Sequence, residues 1–215
     1  REHDLIIGTF GRSIWIMDDI RPLRSIAKTQ ADILAQPLAT FPAPDAYQVT
    51  YRSVDGNRFV ADAHYSGENR PRGALLTLWI NPDSLRKDLK KKVEVTVEVK
   101  DMEGAIIRTY KRKVDSCFNR MTWNLRQDGF RFPSRRTPKP GSSLPSGSEV
   151  VPGEYEVVFS YKKYRDSTRV KVIGDPRVPG HDEAMQNKQQ ASKELEGIVE
   201  VAAEGFKRLR EARKT

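Results

Sequence analysis

The chain has 215 residues, 37% apolar and 31% charged, with 38 lysines and arginines against 29 aspartates and glutamates for a formal charge of +9. That length holds one good-sized domain with an appendage, or two small ones. The longest apolar runs, such as Ala74 to Ile80, fall far short of the ~20 residues of a membrane span, and a single cysteine, Cys117, excludes an intrachain disulfide and a cysteine metal cluster.

The opening Arg1-Glu2-His3-Asp4, without a Met or a signal peptide, reads as a cut boundary or a processing site. Residues 4 to 20 read as a β-hairpin: Leu5 to Phe10 is one β-rich run, Gly11-Arg12 the turn, and Ser13 to Met17 the return, stopped by Asp18 and Asp19. A lone hairpin is marginal in water and needs a sheet to join. Residues 21–65 read as an extended connector lying on another surface, with a short helical turn near Ile20 to Ile26 and punctuation by Pro37, Pro42 and Pro44.

From Gly73 the pattern changes. Ala74 to Ile80 is a buried strand, and Val93-Glu94-Val95-Thr96-Val97-Glu98-Val99 alternates strictly, as a half-buried strand does. Asp101 to Gly104 is a turn, Ala105 to Tyr110 the next strand, and Met121, Trp123 and Leu125 alternate in another. Tyr155 to Tyr161 and Val170 to Ile173 complete the set. Short strands separated by turns, with no helix between them, predict an antiparallel β-sandwich over residues 66–175. Arg126 to Val151 is predicted to be a long, basic loop, and Cys117 a small buried hydrophobe. In the last segment, residues 176–215, Leu195, Ile198, Val199, Ala202, Phe206 and Leu209 recur at helical spacing. One amphipathic helix cannot bury its own stripe, so it must dock on the sandwich, on a further helix or on another molecule.

Two sets of residues carry a family resemblance. Asp4-Leu5-Ile6-Ile7-Gly8-Thr9-Phe10-Gly11-Arg12-Ser13-Ile14-Trp15-Ile16-Met17 resembles the closing blade of BNR-type, sortilin-like β-propeller proteins, large secreted bacterial proteins often labelled glycosyl hydrolase or sialidase-like. Asn69 to Ala74, Asn119-Arg120-Met121-Thr122-Trp123-Asn124-Leu125-Arg126, Val151-Pro152-Gly153-Glu154-Tyr155 and Asp175-Pro176-Arg177 resemble the immunoglobulin or fibronectin type III-like sandwich that follows that propeller. Asn124 departs from the aspartate usual after the tryptophan, and the aspartate boxes of the propeller are absent, so no propeller active site carries over. The resemblance implies a secreted, periplasmic or cell-surface location and the parent's propeller as partner, in the same chain or as a separate piece.

Chemistry is sparse. His3, His64 and His181 have no ligand-like spacing, so neither metal nor cofactor is expected. Ser142, Ser143 and Ser146 have no histidine near them in sequence for a hydrolytic triad, and Asp18-Asp19 reads as a turn former or cap. Trp79, Trp123, Tyr155 and Phe159 fall in apolar alternation and read as core, whereas Tyr47, Tyr51, Phe130 and Phe132 fall in irregular segments. Basic clusters at Arg86-Lys87 with Lys90 to Lys92, at Arg108 to Lys113, and at Arg131, Arg135 and Arg136 carry no aromatic-interleaved nucleic-acid motif, which argues against nucleic acid as partner. The expectation is a non-catalytic structural and interaction domain. The alternative is an accessory module binding a glycan or polyanion through Arg131, Arg135, Arg136, Phe130 and Phe132.

Overall fold

A computed structural model describes residues 3–11, 14–29, 32–49, 71–82, 93–134 and 141–213. The chain is mainly β, with several sheets and one long C-terminal helix. Strands β1 (Leu5–Gly8) and β2 (Ile14–Met17) form an antiparallel hairpin with Ile6 opposite Ile16 and Ile7 opposite Trp15. Helix α1 (Arg21–Lys28) follows, with Pro22 in the first turn where its missing N–H costs nothing, and then the single turn α2 (Asp32–Ala35).

The sandwich is built from two sheets. The smaller has the order β3 (Leu38–Thr40), β5 (Ala74–Ile80), β8 (Cys117–Trp123). The larger has the order β4 (Ala46–Tyr47), β12 (Tyr164–Ile173), β11 (Gly153–Tyr161), β6 (Val93–Lys100), β7 (Ile106–Val114). All its pairings are antiparallel except β4 on β12. The alternation in β6 is realised as expected: Val93, Val95, Val97 and Val99 are buried while the residues between them are not. They meet Val157 and Phe159 from β11, Val170 and Val172 from β12, and Leu76, Leu78, Ile80 and Trp123 from the opposite sheet in one continuous core. The Trp123 ring stands edge-on to Tyr155 at 5.4 Å, joining the two layers.

Gly73 allows the close approach of β5 to β8 at the end of the small sheet. Its φ of +102° lies where side chains are strained, and a Cβ there would stand 2.1 Å from the Trp123 carbonyl oxygen.

The segment expected to be a plain connector is more than that. Leu38, Ala39, Phe41, Pro44 and Ala46 are buried, and β3 and β4 each extend a sheet at its edge. Thr40 ties the two layers, its N–H and hydroxyl both donating to Asp166 on β12 at 2.7 and 2.9 Å. Residues 18–29 and 32–35 lie against the outer face of the small sheet. There the Trp79 indole N–H donates to the Leu34 carbonyl at 3.1 Å, and Arg120 grips the carbonyls of Asp18 and Asp19.

Three further expectations change. Cys117 is exposed, because the chain enters β8 there with φ +74° at the edge of the sheet. The expected loop contains a short ribbon, β9 (Arg126–Asp128) paired with β10 (Ser146–Glu149). The helix α3 (His181–Ala212) forms, yet of its predicted apolar stripe only Val199 is buried. The face that docks is rotated toward Met185, Val199 and Ala203, and Lys188 pairs with Glu149 of β10 at 3.0 Å.

Candidate functional site

The β9–β10 ribbon sets up a site at which three of the five predicted ligand residues, Phe130, Arg131 and Phe132, gather among the described residues. Gly129 and Gly147 pass so close that a Cβ on Gly129 would lie 2.9 Å from the Gly147 Cα, and one on Gly147 would lie 2.6 Å from the Asp128 carbonyl. Gly129 N–H donates to the Pro145 carbonyl at 2.7 Å, closing the ribbon. Beyond this crossing, residues 130–134 and 141–145 spread out and face α3. Between them lies a cleft of about 520 Å³, continuous in its lining with a second of about 330 Å³ that shares Phe130, Phe132 and Glu196.

Phe130 and Phe132 form an edge-to-face pair at 5.1 Å in this cleft, Phe132 remaining 66% exposed. Arg131 lies between them in sequence but serves the loop: its Nη2 donates to the Ser142 carbonyl at 2.6 Å, the Ser142 hydroxyl at 2.9 Å and the Ser143 carbonyl at 3.3 Å. Arg135 and Arg136 lie outside the described residues. The helix wall contributes both signs of charge, with Glu196, Glu200 and Glu204 beside Lys207 and Arg210. With Arg131 the lining presents three cations and three carboxylates around the aromatic pair. Tyr47 is exposed, but no described cleft includes it, and Tyr51 lies outside the described residues.

A second cluster escaped the sequence reading. Arg108, Tyr110 and Arg112 alternate along β7, so all three point to one side of the sheet, with the guanidinium carbons 5.4 and 5.6 Å from the Tyr110 ring centre. Arg108 Nη1 donates to the Ser146 hydroxyl at 2.7 Å and to the Arg126 carbonyl at 3.1 Å, clamping the ribbon onto the sheet. Burial pushes the Tyr110 hydroxyl up to about 12, against the opposing pull of Arg112 and Arg108. The Arg-x-Tyr-x-Arg spacing in a strand was the available signal, hidden inside what read as a run of surface charge.

The other polar residues have structural partners. Asp19 is buried and accepts from the Arg21 side chain at 2.6 Å, while its own N–H donates to Asp4 at 2.7 Å. It also accepts from the Arg21 backbone N–H at 3.3 Å at the entry to α1, whose N-cap position is held by Ile20 without a side-chain cap bond, so of the two roles the sequence suggested it fills that of turn former. His3 faces Arg24 and His181 faces Gln48, at 3.0 and 3.1 Å, and His64 lies outside the described residues. Among the described residues no group of three or more histidines, cysteines, aspartates or glutamates is placed to hold a metal ion. No described helix is long and apolar enough to cross a membrane.

The largest unusual surface is the hairpin. Leu5, Ile6, Ile7, Phe10, Ile14, Trp15, Ile16 and Met17 are all exposed, on both faces of the ribbon. Its base is nonetheless held firmly, through Asp4 and Asp19, through the Ile20 N–H donating to the His3 carbonyl at 2.8 Å, and through Arg120 of the sandwich. Comparison with protein-family models, with curated proteins and with solved structures returns no match for this chain.

Proposed function

We propose that this chain is a non-catalytic structural and interaction domain, an immunoglobulin or fibronectin III-like sandwich ending a larger secreted β-propeller protein of the BNR, sortilin-like kind. The observation that carries the proposal is the hairpin, a regular β-ribbon whose large apolar side chains are exposed on both faces. Each such side chain is worth roughly 1.5–3 kcal/mol when buried, so a ribbon of this kind is stable in water only with a sheet or layer against each face. A propeller blade lies between two neighbouring blades and supplies both. The firm base fits the same role, because it fixes the angle at which the sandwich meets the propeller.

Hydrogen exchange tests this. Amides of Ile6 to Ile16 should exchange fast in the isolated monomer, while β6 and β11 are protected, and deleting residues 1–20 should leave the sandwich transition in place. Strong protection of the hairpin in a demonstrated monomer, lost together with the sandwich core, would show that it belongs to this domain and sink the proposal.

A second reading, glycan binding in the cleft under α3, has the exposed Phe132 in its favour, since sugars stack on flat rings. Phe132→Ala should then abolish retention on a glycan array while leaving the melting temperature unchanged.

A further inference from the structure

The flank of α3 beside its docked face has an order of its own, with Leu195 also edging the smaller cleft against the ribbon. Ala191, Leu195, Ile198, Ala202, Gly205, Leu209 and Ala212 follow one another at intervals of four and three in turn, and all seven are exposed. That is the period of a coiled-coil seam. Leu195, Ile198 and Leu209 keep 50, 68 and 71% of their surface open, because the docked face lies around Met185, Val199 and Ala203.

We propose that this seam pairs with the same seam of a second copy of the chain, antiparallel, about a two-fold axis beside Val201. The first reason is steric. In the register that sets Ile198 against Ala202 of the second copy, Leu195 falls against Gly205 and Ala191 against Leu209. Each layer then sets a bulky side chain against a small one, and the two-fold repeats the set over about 27 Å of helix. A parallel pair would set Ala202 against Ala202 and Gly205 against Gly205, leaving successive voids where interiors are close-packed.

The second reason is charge. Glu194 and Arg208 flank the seam on one side, and the same antiparallel register brings Glu194 of each copy to Arg208 of the other. In a parallel pair Glu194 would instead flank Val199. The present partner of Arg208 is Glu204 of its own helix at 3.4 Å, an exposed contact worth little and readily exchanged. The third reason is Val201, 76% exposed on the same flank, which meets its own copy at the axis. This pairing is independent of the propeller proposal, since the hairpin contributes nothing to it.

Sedimentation of the whole chain over a dilution series reads the outcome. The expected result is twice the 24.5 kDa of one chain at high concentration, dissociating on dilution. Gly205→Leu should be monomeric throughout, because it fills the hole that receives Leu195. No atom lies within 4 Å of a Cβ at that position, and leucine is the better helix former, so the fold is not put at risk. Glu194→Arg should weaken the dimer about tenfold by turning two symmetric pairs repulsive, and adding Arg208→Glu should restore it. A single-chain mass at every concentration, a Gly205→Leu chain that dimerises as before, or a double variant no tighter than Glu194→Arg would each overturn the proposal.

Discussion

Replacing Trp123 with alanine tests the sandwich where both layers and the ribbon depend on one side chain. Trp123 is 1% exposed, lies edge-on to Tyr155 of the other sheet, and donates its indole N–H to the Arg126 carbonyl at 3.0 Å. A buried indole of roughly 200 Å² at about 25 cal/mol per Å² is worth about 5 kcal/mol, and the methyl group of alanine keeps only a small part. The aromatic pair adds about 1 kcal/mol. The lost hydrogen bond adds little, because the Arg126 carbonyl keeps Arg108 Nη1 at 3.1 Å. The expected loss is therefore about 5 kcal/mol, at the top of the range of large-to-small core changes and a large share of a domain's ~5–15 kcal/mol. Urea unfolding followed by far-UV circular dichroism measures it without depending on tryptophan emission. Trp79→Ala is the control, since Trp79 is half-buried on the outer face and donates to Leu34, so its loss should be nearer ~2 kcal/mol. A Trp123→Ala loss below about 1.5 kcal/mol, or one smaller than that of Trp79→Ala, would refute the placement of the core between the sheets.

Gly73→Ala should cost at least ~2 kcal/mol, from a strained φ and a Cβ driven into the Trp123 carbonyl, and the same urea titration reads it. Arg120→Ala should speed hydrogen exchange in α1 while leaving β6 and β11 unchanged, since it removes the grip on Asp18 and Asp19. Burial holds the Tyr110 and Tyr155 hydroxyls at about 12 against an ordinary 10.0, so the folded chain retains protons that the unfolded chain has lost. Stability should thus be full below pH 10 and fall as pH rises toward 12, and Tyr155→Phe, which also removes a 2.6 Å bond to the Val151 carbonyl, should flatten that fall in alkaline melts.

The legible parts of the fold are those where a side-chain period meets a matching backbone period. Val93 to Val99 alternate at the pleat repeat, so their strand and its inward face were both readable. The hairpin was readable because β-rich runs flank a Gly-Arg turn. Strands β3 and β4 were not, since two or three residues among prolines show no period, and their pairing depends on chain segments far away in sequence, such as Asp166. The ribbon β9–β10 was hidden for a similar reason: its residues are polar, and what orders them is the Gly129–Gly147 approach together with the Arg108 clamp.

Helix α3 shows how far a sequence period reaches. Its spacing predicted a helix correctly, but the stripe combined two overlapping sets of residues, one facing the ribbon through Val199 and one facing solvent through Ile198 and Leu209, with Leu195 at the border between them. A helix with one partner needs one face, and the width of this stripe fits a helix that has two. The basic clusters teach the converse. Arg108 and Arg131, both members of basic clusters in the sequence, spend hydrogen bonds on backbone carbonyls and serine hydroxyls of the ribbon and loop. These two arginines therefore hold chain together. In the cleft, the carboxylates Glu196, Glu200 and Glu204 balance Arg131, Lys207 and Arg210. Any ligand of the cleft should accordingly bind with a shallow dependence on salt, unlike a polyanion on a basic surface, where affinity falls by orders of magnitude.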